Sequence, residues 1–224
     1  YSLGLGYLHS VIEQAGYIIK TQNYNIWDRD EASRDITTIL TEFQPDYLLM
    51  QVFSMNRVTT YKIIEVAKTL NSKTKIILGG VHATIFYQQL LEHLDIDYVV
   101  LGEGEETIIE LLSALNANID TGNIKGLAYK VDGKAVKTAD RDLIRDLDRL
   151  PFPAHSLFIG AEQKVAGIIT SRGCPFKCSF CCLHSISRRL YRQRSVGSII
   201  SEVEYILKNH SNISTIQIAD DTFT

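Results

Sequence analysis

Residues 1–173 of this 224-residue sequence contain no cysteine, because all four cysteines lie between residues 174 and 182. The sequence also lacks a run of 18 apolar residues, and no basic segment followed by an apolar one stands near its start. The first absence excludes a disulfide framework. The others exclude a membrane-spanning helix and argue against a secretory signal, so we expect a cytoplasmic protein.

The chain as a whole also lacks a large excess of positive or negative charge. The sequence has 23 Lys and Arg against 26 Asp and Glu, which gives a net charge of −3. This balance offers no general attraction to nucleic acid, so we expect no nucleic-acid partner. The hydrophobic fraction of 45% and the charged fraction of 22% are ordinary for a globular protein and exclude disorder.

Helix-like stretches alternate with short apolar runs between residues 3 and 116. The predicted helices are 3–15, 32–43, 57–70, 83–93 and 104–116. The predicted strands are 17–20, 46–52, 75–78 and 97–101. This alternation predicts an α/β fold with a doubly wound parallel sheet that has helices on both faces. Ligands of such sheets bind beyond the carboxyl ends of the strands.

The pattern changes near residue 120 and again near residue 165. We predict an α/β domain over 1–120, whose first strand would precede residue 1, and a hairpin with a linker over 121–164. The hairpin turns at Asp132-Gly133. A second βα pattern covers 165–224, with strands at 165–170 and 215–218 and a helix at 196–208. Between them lies a long predicted loop, residues 171–195, called the cysteine loop below.

The cysteine loop carries a C-x3-C-x2-C motif formed by Cys174, Cys178 and Cys181. A zinc site would need a fourth ligand, for which His184 is available. A nucleophilic cysteine would need a base, and the sequence singles out none. Three closely spaced thiolates suit a [4Fe–4S] cluster and would leave one iron open to a ligand that is not part of the protein.

The stretch Thr170-Ser-Arg-Gly-Cys174-Pro-Phe-Lys-Cys178-Ser-Phe-Cys181 resembles the cluster loop of the radical S-adenosylmethionine (radical SAM) superfamily. The resemblance implies that Cys174, Cys178 and Cys181 hold a [4Fe–4S] cluster. It also implies that the amine and carboxylate of SAM chelate the open iron, and that Phe180 packs near the adenine.

Ala219-Asp-Asp-Thr-Phe-Thr224 is similar to the end of the second barrel strand of that superfamily. This likeness implies that Asp220 and Asp221 help hold the SAM amino group; the alternative is a pair of solvated carboxylates at a strand end. Cys182 has no place in the motif, and we interpret it as a thiol of the core.

The cysteine loop is also strongly basic, since residues 163–201 contain no acid. Positive charge there could stabilise a reduced cluster and attract the SAM carboxylate. The alternative is a solvated basic loop. The seven basic residues are Lys164, Arg172, Lys177, Arg188, Arg189, Arg192 and Arg194.

The whole chain resembles the cobalamin-binding radical SAM proteins, which include anaerobic cyclases and methyltransferases. The resemblance rests on the cysteine loop and on 3–8, 79–84, 102–105 and 150–153. It implies cobalamin contacts at six residues beyond the carboxyl ends of the predicted strands, although a plain βα turn would also explain the glycine pair. These residues are Ser54, Gly79, Gly80, His82, Gly102 and Glu103.

One feature of many cobalamin domains is missing. None of the six histidines follows an Asp by two residues, so the Asp-x-His-x-x-Gly motif that supplies a lower axial ligand is absent from this sequence. We therefore predict that a bound cobalamin would have its nucleotide tail displaced and that no histidine would ligate cobalt.

These features predict a radical SAM enzyme with a [4Fe–4S] cluster, SAM and cobalamin, which performs methyl transfer or oxidative cyclisation at an unactivated carbon of a small-molecule substrate. A flavodoxin or ferredoxin would supply electrons. Residues 165–224 would form the first βα units of a (β/α) barrel that continues beyond residue 224. The alternative is a cluster-binding protein for electron transfer or sensing, whose degenerate α/β domain no longer binds cobalamin.

Overall fold

The computed structural model describes residues 2–24 and 29–223. The chain forms two compact units. One combines Tyr1–Asn23 with Leu143–Thr224 and is called the loop unit here, because it contains the cysteine loop. The other is Tyr24–Asp142, called the sheet unit. The predicted 1–120 boundary differs from this division, since the first helix groups with the loop unit.

The sheet unit is built on one five-stranded sheet in which the strands lie in chain order. The first three strands are parallel and the last two are antiparallel. The strands are β1 (Tyr47–Gln51), β2 (Lys75–Gly79), β3 (Tyr98–Val100), β4 (Leu127–Val131) and β5 (Lys134–Lys137). The predicted parallel α/β sheet is thereby confirmed, and the predicted hairpin extends it, because β4 pairs with β3.

Helices follow each parallel strand of the sheet unit, as the alternation of the sequence predicts. Their apolar faces pack on the sheet around buried Ile64, Leu78, Leu91 and Val99. After α1 (Leu3–Gln14) of the loop unit, the helices are α2 (Arg29–Phe43), α3 (Arg57–Leu70), α4 (Val81–His93) and α5 (Glu105–Asn116). The carboxyl ends of the parallel strands thus open onto the β1–α3, β2–α4 and β3–α5 connections.

The loop unit contains a second, two-stranded parallel sheet with one crossover helix. Its elements are β6 (Val165–Ile168), β7 (Ser171–Arg172), α6 (His184–Ser187), β8 (Arg192–Gln193), α7 (Val196–Asn209) and β9 (Thr215–Ile218). Strands β6 and β9 are parallel, which is the βα unit predicted for 165–224. Ala166, Ile168, Ile206 and Ile213 form its core. The predicted loop 171–195 is closed at its base by the antiparallel pair β7–β8.

One predicted strand is wrong. Residues 17–20 are described, and they form no strand. The side chain of Ile18 is 89% exposed, so this short apolar run lacks the partner strand and the buried face that a strand requires.

The sequence predicts no membrane-spanning helix. Among residues 2–24 and 29–223, no helix has the length and apolar character needed to cross a bilayer.

Candidate functional site

The three motif cysteines line one cavity of about 300 Å³ in the cysteine loop, part of it open to solvent. None of the four cysteines forms a disulfide. The cavity is lined by Cys174, Phe176, Lys177, Cys178, Cys181, Leu183, His184 and Arg189. The fold therefore brings together the thiols that the motif predicts, with two cationic side chains beside them.

Two residues that flank Cys181 in or beside the motif are both exposed. Cys182 is exposed and does not line the cavity, so its interpretation as a core thiol is wrong. It follows Cys181 directly, in a segment without regular secondary structure. Phe180 is 91% exposed, an unusual state for a large aromatic ring, and it is therefore accessible to a ligand.

The backbone that leads into the cavity is held by two carboxylates from the end of β9. Residues 170–173, called the leading segment here, supply the donors. The amides of Thr170 and Ser171 donate to Asp220 Oδ1 at 2.7 and 3.2 Å, and the hydroxyls of the same two residues donate to Asp220 Oδ2. The Gly173 amide donates to Asp221 Oδ2 at 2.9 Å. Both predicted aspartates thus lie at the start of the cysteine loop.

Gly173 is the residue at which the leading segment turns into the motif. Its φ of +88° is a backbone conformation that L side chains rarely adopt. A Cβ at this position would lie 2.1 Å from the carbonyl oxygen of Leu190, at the other end of the loop. Only glycine permits this close approach, which brings the two ends of the cysteine loop together.

His184, the candidate fourth zinc ligand, already has a hydrogen-bond partner. Its Nδ1 lies 2.9 Å from the carbonyl oxygen of Cys181 and must therefore carry the proton that is donated. Within the described residues, no three side chains of His, Cys, Asp or Glu are placed to hold one metal ion together. A tetrahedral site of three thiols and His184 is therefore not preformed.

The positive charges of the cysteine loop divide into two groups. Arg172 lies over the ring of Tyr7 at 4.9 Å, and buried Arg192 donates to the carbonyl oxygen of Ile144 at 2.7 Å. These side chains hold the loop unit together. Lys177 and Arg189 line the cavity instead, so the electropositive surroundings predicted for the site come in part from them.

A buried network of polar and charged side chains beneath the loop is not predicted from the sequence. Glu202 on α7 is fully buried and binds His155 Nε2 through Oε1 at 2.8 Å and Arg194 through Oε2. Arg194 also donates to the carbonyl oxygen of Ile169, directly before the leading segment, at 2.8 Å. A signal was present in the sequence, because Glu202 interrupts the apolar face of an amphipathic helix.

The second group of predicted site residues lies at the carboxyl ends of β1, β2 and β3, called the carboxyl edge here. Ser54 Oγ and His82 Nδ1 are 2.9 Å apart, which joins the β1–α3 connection to the start of α4. His82 is buried and lies beside Phe86, with ring centroids 4.7 Å apart and ring planes tilted by 40°. Burial, and then the positive charge of Arg57, lower the pKa of His82, so its imidazole is neutral at pH 7.

Two predicted glycines at the carboxyl edge shape the chain itself. Gly80 has a φ of +91°, and a Cβ there would lie 3.1 Å from the Val52 carbonyl oxygen. This close packing of the β2–α4 turn on β1 requires glycine, as a tight βα turn would. Gly102 donates its amide to Thr84 Oγ1 at 3.0 Å and has open space beside it. Gly79 and Glu103 are half-buried next to these turns.

An exposed apolar patch accompanies the carboxyl edge. Its members are on average about half exposed and belong to the β1–α3 connection and the starts of α3 and α4. They are Phe53, Met55, Val58, Ile85 and Phe86, with exposed fractions between 38% and 65%. Large apolar side chains left exposed at the carboxyl ends of parallel strands are candidates for contact with a ligand.

Comparison with known families decides what the α/β part of the chain is. The model of the B12 binding domain matches residues 1–112, half of the 224 residues. The chain belongs to the B12-binding domain family. The carboxyl edge lies within the matched residues, which confirms the resemblance of this part of the chain to cobalamin-binding proteins.

Relatives of this B12-binding domain protein include a methyltransferase and a cyclase. An uncharacterised methyltransferase of Pyrococcus horikoshii is 33% identical over 99% of this chain and 49% of its own length. An anaerobic magnesium-protoporphyrin IX monomethyl ester cyclase of Rubrivivax gelatinosus is 29% identical over 97% of this chain and 40% of its own length. The chain therefore spans about half, or less, of the length of these relatives.

Solved structures share the fold of this B12-binding domain protein. The radical SAM methyltransferase TsrM of Kitasatospora setae, solved with cobalamin and a [4Fe–4S] cluster bound, matches 97% of this chain and 44% of its own length. The TM-score is 0.78 at 19% sequence identity. The match extends through the cysteine loop, so the fold predicted for both parts of the chain is confirmed.

Proposed function

We propose that this protein is a radical SAM enzyme that also carries cobalamin and performs methyl transfer or oxidative cyclisation at an unactivated carbon. One observation carries the proposal: the three thiols of a C-x3-C-x2-C motif line a single cavity in a chain whose first half belongs to the B12-binding domain family. Relatives named as methyltransferase and cyclase support both reaction types.

The donor set of the cavity suits a [4Fe–4S] cluster. Cys174, Cys178 and Cys181 would hold three irons, since thiolates are the usual cluster ligands. The cavity is partly open to solvent, so a ligand from outside the chain can reach a cluster held there. Reductive cleavage of SAM to methionine and a 5′-deoxyadenosyl radical is the chemistry that such a cluster supplies when bound.

The protein's own side chains would bind and orient SAM around that cavity. Lys177 and Arg189 would attract the carboxylate of SAM and offset the negative charge of a reduced cluster. Phe180 would lose its exposure by packing against the adenine. The hydrogen bond from His184 to the Cys181 carbonyl oxygen would keep that turn in place. These roles follow from accessibility and charge.

Cobalamin would lie on the carboxyl edge of the sheet unit. The exposed patch that contains Phe53 and Ile85 offers apolar surface for a corrin ring, and Ser54, whose hydroxyl bonds His82, is an exposed residue beside it. Gly79, Gly80, His82, Gly102 and Glu103 would be the further contacts at this edge. The prediction that no histidine ligates cobalt rests on the sequence, in which no histidine stands two residues after an Asp.

The proposed reaction needs a substrate and a source of electrons. The substrate would be a small molecule, and electrons would come from a flavodoxin or ferredoxin. The basic loop would favour such an acidic electron donor, because Arg188, Arg189 and Lys177 are exposed.

The test is anaerobic purification of the full chain, followed by reconstitution with iron, sulfide and hydroxocobalamin. We expect about four irons per chain, a bound corrin spectrum, and 5′-deoxyadenosine when SAM and dithionite are added. Cys178→Ala should lose the iron and the product, whereas Cys182→Ala, at an exposed thiol outside the cavity, should keep both.

Two other results would contradict the proposal. One zinc per chain without iron uptake would overturn the cluster assignment. Iron without bound corrin would overturn the cobalamin assignment and favour a protein for electron transfer or sensing.

A further inference from the structure

We propose that the two neighbouring aspartates at the end of β9 have different tasks: Asp220 is a positioning residue that fixes the leading segment and therefore Cys174, and Asp221 is the aspartate left to contact a bound ligand. The part that concerns the cluster and SAM rests on the proposed function. The part that concerns the leading segment is a property of the chain itself.

The carboxylate of Asp220 is already saturated. It accepts from the two amides and the two hydroxyls of Thr170 and Ser171, with one amide and one hydroxyl from each residue. An ionised carboxylate offers about four lone-pair sites, and it has no proton to donate. An ammonium group could bind Asp220 only by displacing one of these donors, which would release the leading segment.

The carboxylate of Asp221 accepts fewer hydrogen bonds than that of Asp220. Among the described residues, the Gly173 amide is its one hydrogen-bond donor, and it uses Oδ2. Its Oδ1 thus keeps its lone pairs for a cationic donor that comes from outside the chain. Both oxygens of Asp220 therefore accept hydrogen bonds from the protein, whereas only Oδ2 of Asp221 does so among the described residues.

The leading segment is held from its other side as well. The backbone amide of Arg194 donates to the Thr170 carbonyl oxygen at 2.9 Å, and Ser171 pairs with Gln193 across β7–β8. Asp220 bonds the same two residues from β9. Strands β6, β8 and β9 therefore converge on Thr170 and Ser171, three to four residues before Cys174.

The other two cysteines are bonded only within their own turn: the Cys181 amide donates to the Cys178 carbonyl oxygen, and His184 donates to the Cys181 carbonyl oxygen. Cys178 is exposed, and none of the hydrogen bonds among the described residues involves a cysteine thiol. The leading segment would consequently present Cys174 as the fixed first ligand, while Cys178 and Cys181 adjust to what binds. Loss of Asp220 should loosen the fixed ligand, whereas loss of Asp221 should weaken the hold on SAM.

The first experiment measures amide hydrogen exchange in the cluster-free full chain. In Asp220→Ala, the Thr170 and Ser171 amides should exchange roughly ten- to a hundredfold faster, because hydrogen bonds to a charged acceptor are lost. The matched variant Asp221→Ala should accelerate the Gly173 amide alone. Amides of Ile76 and Leu78, in the core of the sheet unit, serve as the control for intact folding. Unchanged exchange at Thr170 and Ser171 would overturn the proposal.

A second variant covers the case in which Asp220→Ala does not fold. Asp220→Asn keeps the size of the side chain and one carbonyl oxygen, so it can still accept from both amides. We expect exchange between that of the wild type and that of Asp220→Ala. The positioning role would be overturned if the Thr170 and Ser171 amides of Asp220→Asn exchanged as slowly as in the wild type while SAM binding was lost.

The second experiment separates the two aspartates in the reconstituted protein. Asp220→Ala should release iron on gel filtration at least about tenfold faster than the wild type, and Asp221→Ala should retain iron but raise the Kd for SAM about tenfold. An Asp220→Ala protein with wild-type iron retention and a raised Kd for SAM would overturn the proposal. Absence of iron from the wild type would refute the proposed function, while the exchange result would still test the role of Asp220.

Discussion

The cysteine loop and the carboxyl edge hold their functional side chains in opposite ways. At the cysteine loop, the thiols take no part in the described hydrogen bonds, and other residues fix the backbone around them. At the carboxyl edge, predicted ligand contacts bond to each other, as Ser54 does to His82. The difference shows that the thiols proposed as cluster ligands are not the groups that hold the fold, whereas the residues proposed as cobalamin contacts also hold the fold.

The largest effect is expected beneath the cysteine loop, where support is concentrated. Glu202→Ala leaves buried Arg194 without its carboxylate partner and removes the hydrogen bond to His155, which should lower the free energy of unfolding by about 3–5 kcal/mol. Urea unfolding of the full chain measures this loss. Glu204→Ala, at an exposed position of the same helix, should change stability by less than about 0.5 kcal/mol. Equal effects of the two variants would contradict a supporting role for the network.

The next effect concerns the backbone of the same loop. Gly173→Ala places a Cβ against the Leu190 carbonyl oxygen at a positive φ, so we expect a loss of about 2–4 kcal/mol in the free energy of unfolding. Thermal and urea unfolding would measure it. Gly160→Ala is the matched control, since nothing lies within 4 Å of its Cβ position. A Gly173→Ala protein as stable as this control would show that the two ends of the loop do not need their close approach.

A smaller, pH-dependent effect is expected at the carboxyl edge. Because the folded chain lowers the pKa of His82, the unfolded state takes up the proton first as pH falls. The wild type should therefore lose stability as pH falls below about 6.5, the ordinary pKa of histidine. His82→Gln should cost about 1 kcal/mol at pH 7.5 and remove this share of the acid loss. Unfolding by urea between pH 5 and 8 checks both expectations.

Ser54→Ala serves as the control for that experiment. It removes the hydrogen bond to His82 but keeps the imidazole, so it should lower stability at pH 7.5 and retain the acid loss. A steeper acid loss in His82→Gln than in the wild type would contradict the neutral, buried imidazole.

The smallest effect is expected at an exposed thiol of the cysteine loop. In the cluster-free chain, Cys178→Ala should change the free energy of unfolding by less than about 0.5 kcal/mol, because the thiol is exposed and supports nothing. Ser54→Ala should cost about 1 kcal/mol in the same assay. Urea unfolding under reducing conditions measures both. A large loss in Cys178→Ala would show that the separation of support and binding is incomplete.

Local patterns in the sequence were sufficient to predict most elements. The apolar periodicity of 57–70 and the alternation of 215–218 give α3 and β9 their observed bounds, and Asp132-Gly133 forms the hairpin turn with both φ values positive. The motif cysteines could be predicted because their spacing reflects one local loop. The run at 17–20 shows the limit, since a strand also depends on a partner elsewhere in the chain.

The missed features all depend on contacts between distant parts of the sequence. Asp220 meets Thr170 across 50 residues, and Glu202 meets His155 across 47. The sequence alone gives the end of β9 and the apolar face of α7, but not which residues those elements pack against. The exposure of Cys182 was missed for the same reason, because burial is decided by the neighbours that cover a residue.

The pairing of the hairpin with β3 affects whether strands of other chains can add to the sheet. It makes β5 an outer strand of the sheet, and this strand begins and ends with Lys134 and Lys137. A foreign strand that added to this side would bring its backbone against two ammonium groups, which disfavours edge-to-edge aggregation. The same hairpin that completes the sheet therefore protects one side of it from unwanted growth.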